Sequence, residues 1–88
     1  MKQETLNQLA LVDKGLDDAF MSYIGINNFN DEAEVMLIER GNHDEIVSYV
    51  CKYDFCQEAV AKLAERGDVS ELLIYNWMRN MSAQMVEL

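Results

Sequence analysis

The residues best suited to chemistry in this chain are a lone histidine, His43, and two cysteines, Cys51 and Cys56. Imidazole and thiolate are donors that zinc favours, so the three would make a zinc site still short of a fourth ligand such as Asp54. The Cys-x4-Cys spacing is not that of a zinc knuckle, however. A histidine at a helix start, one buried cysteine and one cysteine at a capping position account for them more simply. Carboxylates fall in groups, Asp17-Asp18, Asp31-Glu32 with Glu34, and Asp44-Glu45. A general acid–base pair needs two carboxyls converging on a pocket that splits their pKa values. Acids in the first turn of a helix need only the macrodipole to explain them. The oxygen-rich run Asn27 to Glu32 lacks the glycine and terminal glutamate of an EF-hand at their spacing. No serine–histidine–acid order and no glycine-rich phosphate loop occurs. No catalytic residue, cofactor or metal is assigned from these patterns, and a non-enzyme is expected.

Those side chains must be positioned by a chain of 88 residues, which makes one domain, residues 1–88. Half of the residues are apolar and 26% charged, ordinary for a folded globular protein. Sixteen acids against seven bases leave a net charge of −9, which disfavours binding to phosphate backbones or anionic lipid. No nucleic-acid or membrane partner is expected, although an acidic surface that mimics nucleic acid is a weaker alternative. The early apolar run Leu9-Ala10-Leu11-Val12 is far short of a signal-peptide core or a membrane span. Two cysteines are too few for a disulfide scaffold, so a cytoplasmic protein with reduced thiols is expected.

The organising feature is a period of 26 residues. Glu39-Arg40-Gly41 matches Glu65-Arg66-Gly67 at that offset, and Asp13-Lys14-Gly15 occupies the same register one step earlier. Tyr23, Tyr49 and Tyr75 recur likewise, as do Leu11, Leu37 and Leu63, and Phe29, Phe55 and Met81. Each unit reads as two short helices. Residues 31–40 form a breaker-free run rich in Glu, Ala, Leu and Met, followed by a glycine expected at C′ with positive φ. Asn42 and Asp68 then stand three residues before Glu45 and Glu71, the spacing of a capping box. The second helix of the middle unit is expected from about Asp44 to Tyr53, with Ile46, Tyr49, Val50 and Tyr53 on one face. Val47, Leu73 and Met21 widen that apolar stripe, so the second helices are expected to be the more deeply buried.

Between units, Asn30, Cys56 and Ser82 are candidate N-caps, with Asn28, Asp54 and Asn80 as an alternative register. Val60 and Val86 sit where a hydrophobic staple would meet Phe55 and Met81, whereas Glu34 holds that place in the middle unit and breaks it. Helices of about ten residues are marginal alone and must bury their stripes against neighbours. The expected fold is therefore all-α, a short right-handed α-solenoid of three 26-residue two-helix repeats plus a C-terminal half-unit. In that half-unit, residues 81–88 are expected to form a helical turn that folds Met85 and Val86 over the third unit near Trp77.

The string Glu39-Arg40-Gly41-Asn42-His43-Asp44-Glu45-Ile46, preceded by Glu32-Ala33-Glu34-Val35, resembles the unit of bacterial tandem-repeat proteins. In those an Ala-Glu-…-Leu-Ile-Glu-Arg-Gly-Asn-His-(Asp/Glu)-Glu-Ile string recurs, and the broader likeness is to HEAT and leucine-rich-variant repeats. The first unit departs from the pattern with Leu16-Asp17-Asp18, and the third with Asp68-Val69-Ser70. The resemblance implies a helical-repeat fold and a binding role, and it carries no catalytic residue.

The function expected is a non-catalytic module for protein–protein interaction, with a protein partner and a monomer or weak end-to-end dimer as its state. The candidate contact residues are Trp77, Tyr49, Tyr75 and Met78. Trp77 stands where its counterparts are Cys51 and Gly25, so it either fills the end of the core or protrudes as an anchor. The alternative is a regulatory protein that binds a metal or small ligand through His43, Cys51 and Cys56.

Overall fold

The computed structural model describes the backbone of residues 2–87 and the side chains of residues 2–81. Six helices follow one another: α1 (Gln3–Lys14), α2 (Asp18–Ile24), α3 (Asp31–Arg40), α4 (His43–Val50), α5 (Gln57–Arg66) and α6 (Val69–Glu87). No strand occurs among the described residues, so the chain is all-α. The odd-numbered helices lie side by side with α3 between α1 and α5, while α4 packs against α6. Lys14, Arg40 and Arg66 end the three odd-numbered helices at intervals of 26 residues.

Local chemistry sets most of these limits. The side chains of Asp17, Asn30, Asn42 and Asp68 accept backbone N–H bonds from Phe20, Ala33, Glu45 and Glu71, which satisfies donors left free at helix starts. Asn30 is thus the cap of α3, and Cys56 takes the corresponding place before α5 without a side-chain bond. Two residues, Gly15 and Leu16, separate α1 from the Asp17 cap of α2, whereas Gly41 alone separates α3 from the Asn42 cap of α4.

Several expectations need correction. Gly15 and Gly67 do have positive φ, 89° and 74°, but Gly41 does not. Its φ is −76°, and glycine is required there for space, since an added Cβ would fall 2.4 Å from the Leu37 carbonyl oxygen and 2.9 Å from Leu37 Cδ1. Helix α4 ends at Val50 rather than near Tyr53, because Tyr53 turns away to donate its hydroxyl to the Ile24 carbonyl at the end of α2, at 2.6 Å. Cys51, one residue past that helix, is consequently exposed rather than buried. Residues 81–87 are helical as expected, but as the continuation of α6 rather than a new helix capped at Ser82, for α6 runs unbroken to Glu87. Where α2 meets Gly25 and two asparagines, α6 meets Met78, Arg79, Ala83 and Gln84, good helix formers that give it no reason to stop. The side chains of Met85 and Val86 lie outside the described residues.

The core is a column of aromatic rings. Phe29 stacks on Tyr49, Tyr49 on Phe55 and Phe55 on Tyr75, with centroids 5.2, 5.4 and 5.5 Å apart. Phe20 closes one end by meeting Phe29 edge-on at 5.9 Å. Ala33, Leu37, Ala59 and Leu63 pack around it with no exposed surface. The small alanines let the helices approach while the leucines fill the space between them.

Beside the column runs a polar bracket built at positions 26 residues apart. Gln8 accepts the Asn30 N–H at 3.0 Å and donates to the Tyr23 hydroxyl at 2.7 Å. Glu34 accepts the Cys56 N–H at 2.8 Å and the Tyr49 hydroxyl proton, and that hydroxyl accepts the Phe29 N–H at 3.0 Å. Glu34 therefore replaces a hydrophobic staple with a fully satisfied buried acceptor, tying the end of one helix pair to the start of the next. Val60 holds the third position and offers no acceptor, so Tyr75 instead accepts a bond from Arg79 Nη1 at 2.9 Å.

Candidate functional site

Helix α6 presents an uncharged apolar strip on the side away from its core face. Its inward residues are Glu71 and Tyr75, buried, with Leu72, Ile74 and Met78 packed partly under cover. Val69, Leu73, Trp77 and Met81, spaced four apart, are 66%, 63%, 62% and 41% exposed. That spacing places them in one row along the helix. Ser70, Asn76 and Asn80 are also exposed, adding polarity without charge. From Leu72 to Val86 the sequence carries a single charge, Arg79, in a chain of net charge −9. Arg79 is held against the Tyr75 ring, its guanidinium 5.5 Å from the centroid.

Of the residues singled out from sequence, Trp77 is on this strip. Tyr49 and Tyr75 belong to the aromatic column and are buried, and Met78 packs against the core. Leu73 and Met21, expected to deepen the burial of the second helices, face solvent. Single-sequence periodicity missed this because α6 is apolar on two sides, and burial of one face says nothing of the other.

A second cluster forms where α4 meets the start of α6. His43 is the first residue of α4, Asp68 caps α6 and Glu71 lies in its first turn. His43 Nδ1 lies 2.9 Å from Glu71 Oε2 and 3.5 Å from Asp68 Oδ2. Arg66, at the end of α5, donates from Nε to Glu71 Oε1 at 2.8 Å and from Nη1 to the Ile38 carbonyl at 3.1 Å. The hydrogen bond to Glu71, reinforced by the Asp68 charge, holds His43 above the ordinary histidine pKa. The Asp68 carboxyl sits below its ordinary range because Ser70 and the Glu71 N–H donate to it. Glu71 therefore does not complete the capping box expected of it. Its side chain is drawn to His43 and Arg66, while Asn42 and Glu45 form the box in both directions.

Glu45 is buried, with Oε1 held by the Asn42 N–H and Oε2 without a protein partner. Burial pushes its carboxyl above the usual range, and the nearby Asp13 and Asp17 charges add to the effect. Asp31, Glu34 and Cys56 form another group, but the Glu34 oxygens are committed to Cys56 N–H and Tyr49. Burial raises the Glu34 carboxyl and the Cys56 thiol. Among the described residues, the groups that gather three metal-binding side chains are this one and His43, Asp68 and Glu71, and neither joins His43 to Cys51 or Cys56. The sequence signal that could have found the second cluster was the 28-residue separation of His43 and Glu71, one period plus a small stagger.

No described helix is long and apolar enough to cross a membrane. Comparison with protein-family models, with curated proteins and with solved structures finds no match to this chain.

Proposed function

We propose that this chain is a short right-handed α-solenoid of three 26-residue two-helix units, working as a non-catalytic module that binds a protein through the outer strip of α6. The observation that carries the reading is the row Val69, Leu73, Trp77 and Met81, exposed on a helix whose sequence from Leu72 to Val86 carries one charge, Arg79. Exposed large apolar residues in a row are costly to keep in water unless something covers them, and tryptophan is the residue most enriched at binding hot spots. The side-by-side packing of α1, α3 and α5 and the polar brackets at Gln8 and Glu34 support the solenoid, as does the 26-residue period. Among the described residues no helix covers this side of α6, which leaves the row open to a partner.

The partner fitting this strip is an apolar helix face or shallow groove, with neutral polar groups at the rim to meet Ser70, Asn76 and Asn80. The reading places the protein in the cytoplasm, with a protein as its partner and no nucleic acid or membrane. A photo-reactive amino acid placed at position 77, with a control at the exposed Glu65, tests it in cells. A specific cross-linked product from position 77 is expected. The same product from both positions, or none from 77, overturns the proposal.

A further inference from the structure

We propose that His43, Asp68 and Glu71 form a binding site for one divalent transition-metal ion, of which zinc suits the donor set best. The ligand atoms of the three residues all lie within 4.8 Å of one another, and two of the separations are 2.9 and 3.5 Å. Bonds of about 2.1 Å at a tetrahedral angle place ligand atoms about 3.4 Å apart, and the two histidine–carboxylate separations lie on either side of that spacing.

The geometry is prepared in a further respect. Each carboxylate turns one oxygen towards His43 and has its other oxygen anchored. Glu71 Oε1 is held by Arg66, and Asp68 Oδ1 by the Ser70 hydroxyl at 2.7 Å and the Glu71 N–H at 3.2 Å. Outer partners of this kind fix ligand orientation in metal sites. All three ligands sit in or next to helix first turns, where the backbone is ordered on both sides. A neutral imidazole and two carboxylates balance a dication, and Arg66 faces the far oxygen of Glu71 rather than the ligating one. His43 is 44% exposed, which leaves room for water as a fourth ligand. Hard ions such as calcium take six or more oxygens and gain nothing from imidazole, whereas zinc, cobalt and nickel do. Positions 17 and 69, one period away on either side of His43, are Asp and Val, so the arrangement belongs to this one junction.

The ion would displace the Nδ1 proton that otherwise bridges the imidazole to the carboxylates, so binding strengthens as pH rises. This site is separate from the α6 strip, and its test does not depend on the docking reading. The experiment is a titration of the full chain with cobalt(II) and zinc(II) near neutral pH, followed by visible absorption and by calorimetry. One equivalent is expected to bind, with a cobalt spectrum of nitrogen and oxygen ligands and no thiolate charge-transfer band. His43→Gln and Asp68→Asn, both at partly exposed positions, each weaken binding at least about tenfold. The double variant Cys51→Ser with Cys56→Ser binds as the parent does. No binding at millimolar metal, unchanged binding in His43→Gln, or loss of binding in the cysteine variant overturns the proposal.

Discussion

The Tyr49 hydroxyl donates to the Glu34 carboxylate inside the core, and the other oxygen of that carboxylate accepts the Cys56 N–H. One side chain from α3 thereby ties the aromatic column to the backbone that opens α5. Gln8 does the same for Tyr23 and Asn30 one period earlier, with an amide in place of a carboxyl.

The comparison predicts which replacement of Glu34 is better tolerated. Glu34→Ala strands a buried hydroxyl and a buried N–H and should cost about 2–4 kcal/mol. Glu34→Gln can keep the Cys56 N–H bond and donate to the Tyr49 oxygen as Gln8 does to Tyr23. It leaves the Tyr49 hydroxyl proton without its acceptor, so it should cost about 1–2 kcal/mol, less than Glu34→Ala. Urea unfolding of the two variants decides it, and equal losses would show that the bracket contributes nothing beyond volume.

Glycine 41 is predicted to be the least replaceable of the glycines. Gly41→Ala drives a methyl into the Leu37 carbonyl and side chain, and should cost more than about 2 kcal/mol by thermal melts. Gly25 lies in a right-handed helical conformation where an added Cβ would fall 3.3 Å from the Met21 carbonyl oxygen, so Gly25→Ala should cost clearly less than Gly41→Ala. If both substitutions lower the melting temperature alike, the close approach at Gly41 is wrong.

Stability should fall as the solution is made alkaline. Burial raises the Glu34 and Glu45 carboxyls, and the Glu71 hydrogen bond raises His43. Each group binds its proton more tightly folded than unfolded. Its contribution is complete below the unfolded pKa, ~4.3 for glutamate and ~6.5 for histidine, and is lost as pH rises through the higher folded value. Asp68, held low, acts in the opposite sense and loses its contribution only as pH falls through its folded pKa, below 3.8. Metal-free protein should therefore melt higher at about pH 5.5 than at about pH 8.5, and His43→Gln should flatten the fall above ~6.5. A melting temperature that climbs over that range would contradict the assignment.

Two aromatic residues of α6 should behave in opposite ways. Tyr75 is buried at the end of the column, so Tyr75→Ala should cost about 3–5 kcal/mol. Trp77 is exposed, and Trp77→Ala should change stability by no more than about 0.5 kcal/mol. Denaturant midpoints separate the two, and a large loss at Trp77 would place it in the core.

Much of the fold was legible in local signals. The caps Asn30, Asn42 and Asp68, the glycines after Lys14 and Arg66, and the helix-forming runs between them act within a few residues. Of the residues matched at an offset of 26, Tyr49, Tyr75, Leu37 and Leu63 are buried, while Leu11 and Tyr23 are only partly so. The candidate site was far less legible. Trp77 was singled out as unlike its counterparts, but that it protrudes, with Leu73 beside it and Tyr75 inside, depended on which neighbour lay against each face of α6.

The sequence by itself determined that the chain is helical, where its helices begin, and which side chains are available to be buried. Those outcomes depend on backbone propensities and hydrogen bonds that close within one or two turns. The tertiary structure alone decided that Glu71 turns from its own cap to His43, that Glu34 receives Tyr49 and Cys56, and that Gly41 leaves no room for a Cβ. Glu71 and Glu34 find those partners 15 to 28 residues away, and nothing nearby in the chain distinguishes an acid that will meet one from an acid that will face water. Packing brings the partners together, and the cost of leaving a buried carboxylate unsatisfied then selects the bonds that are seen.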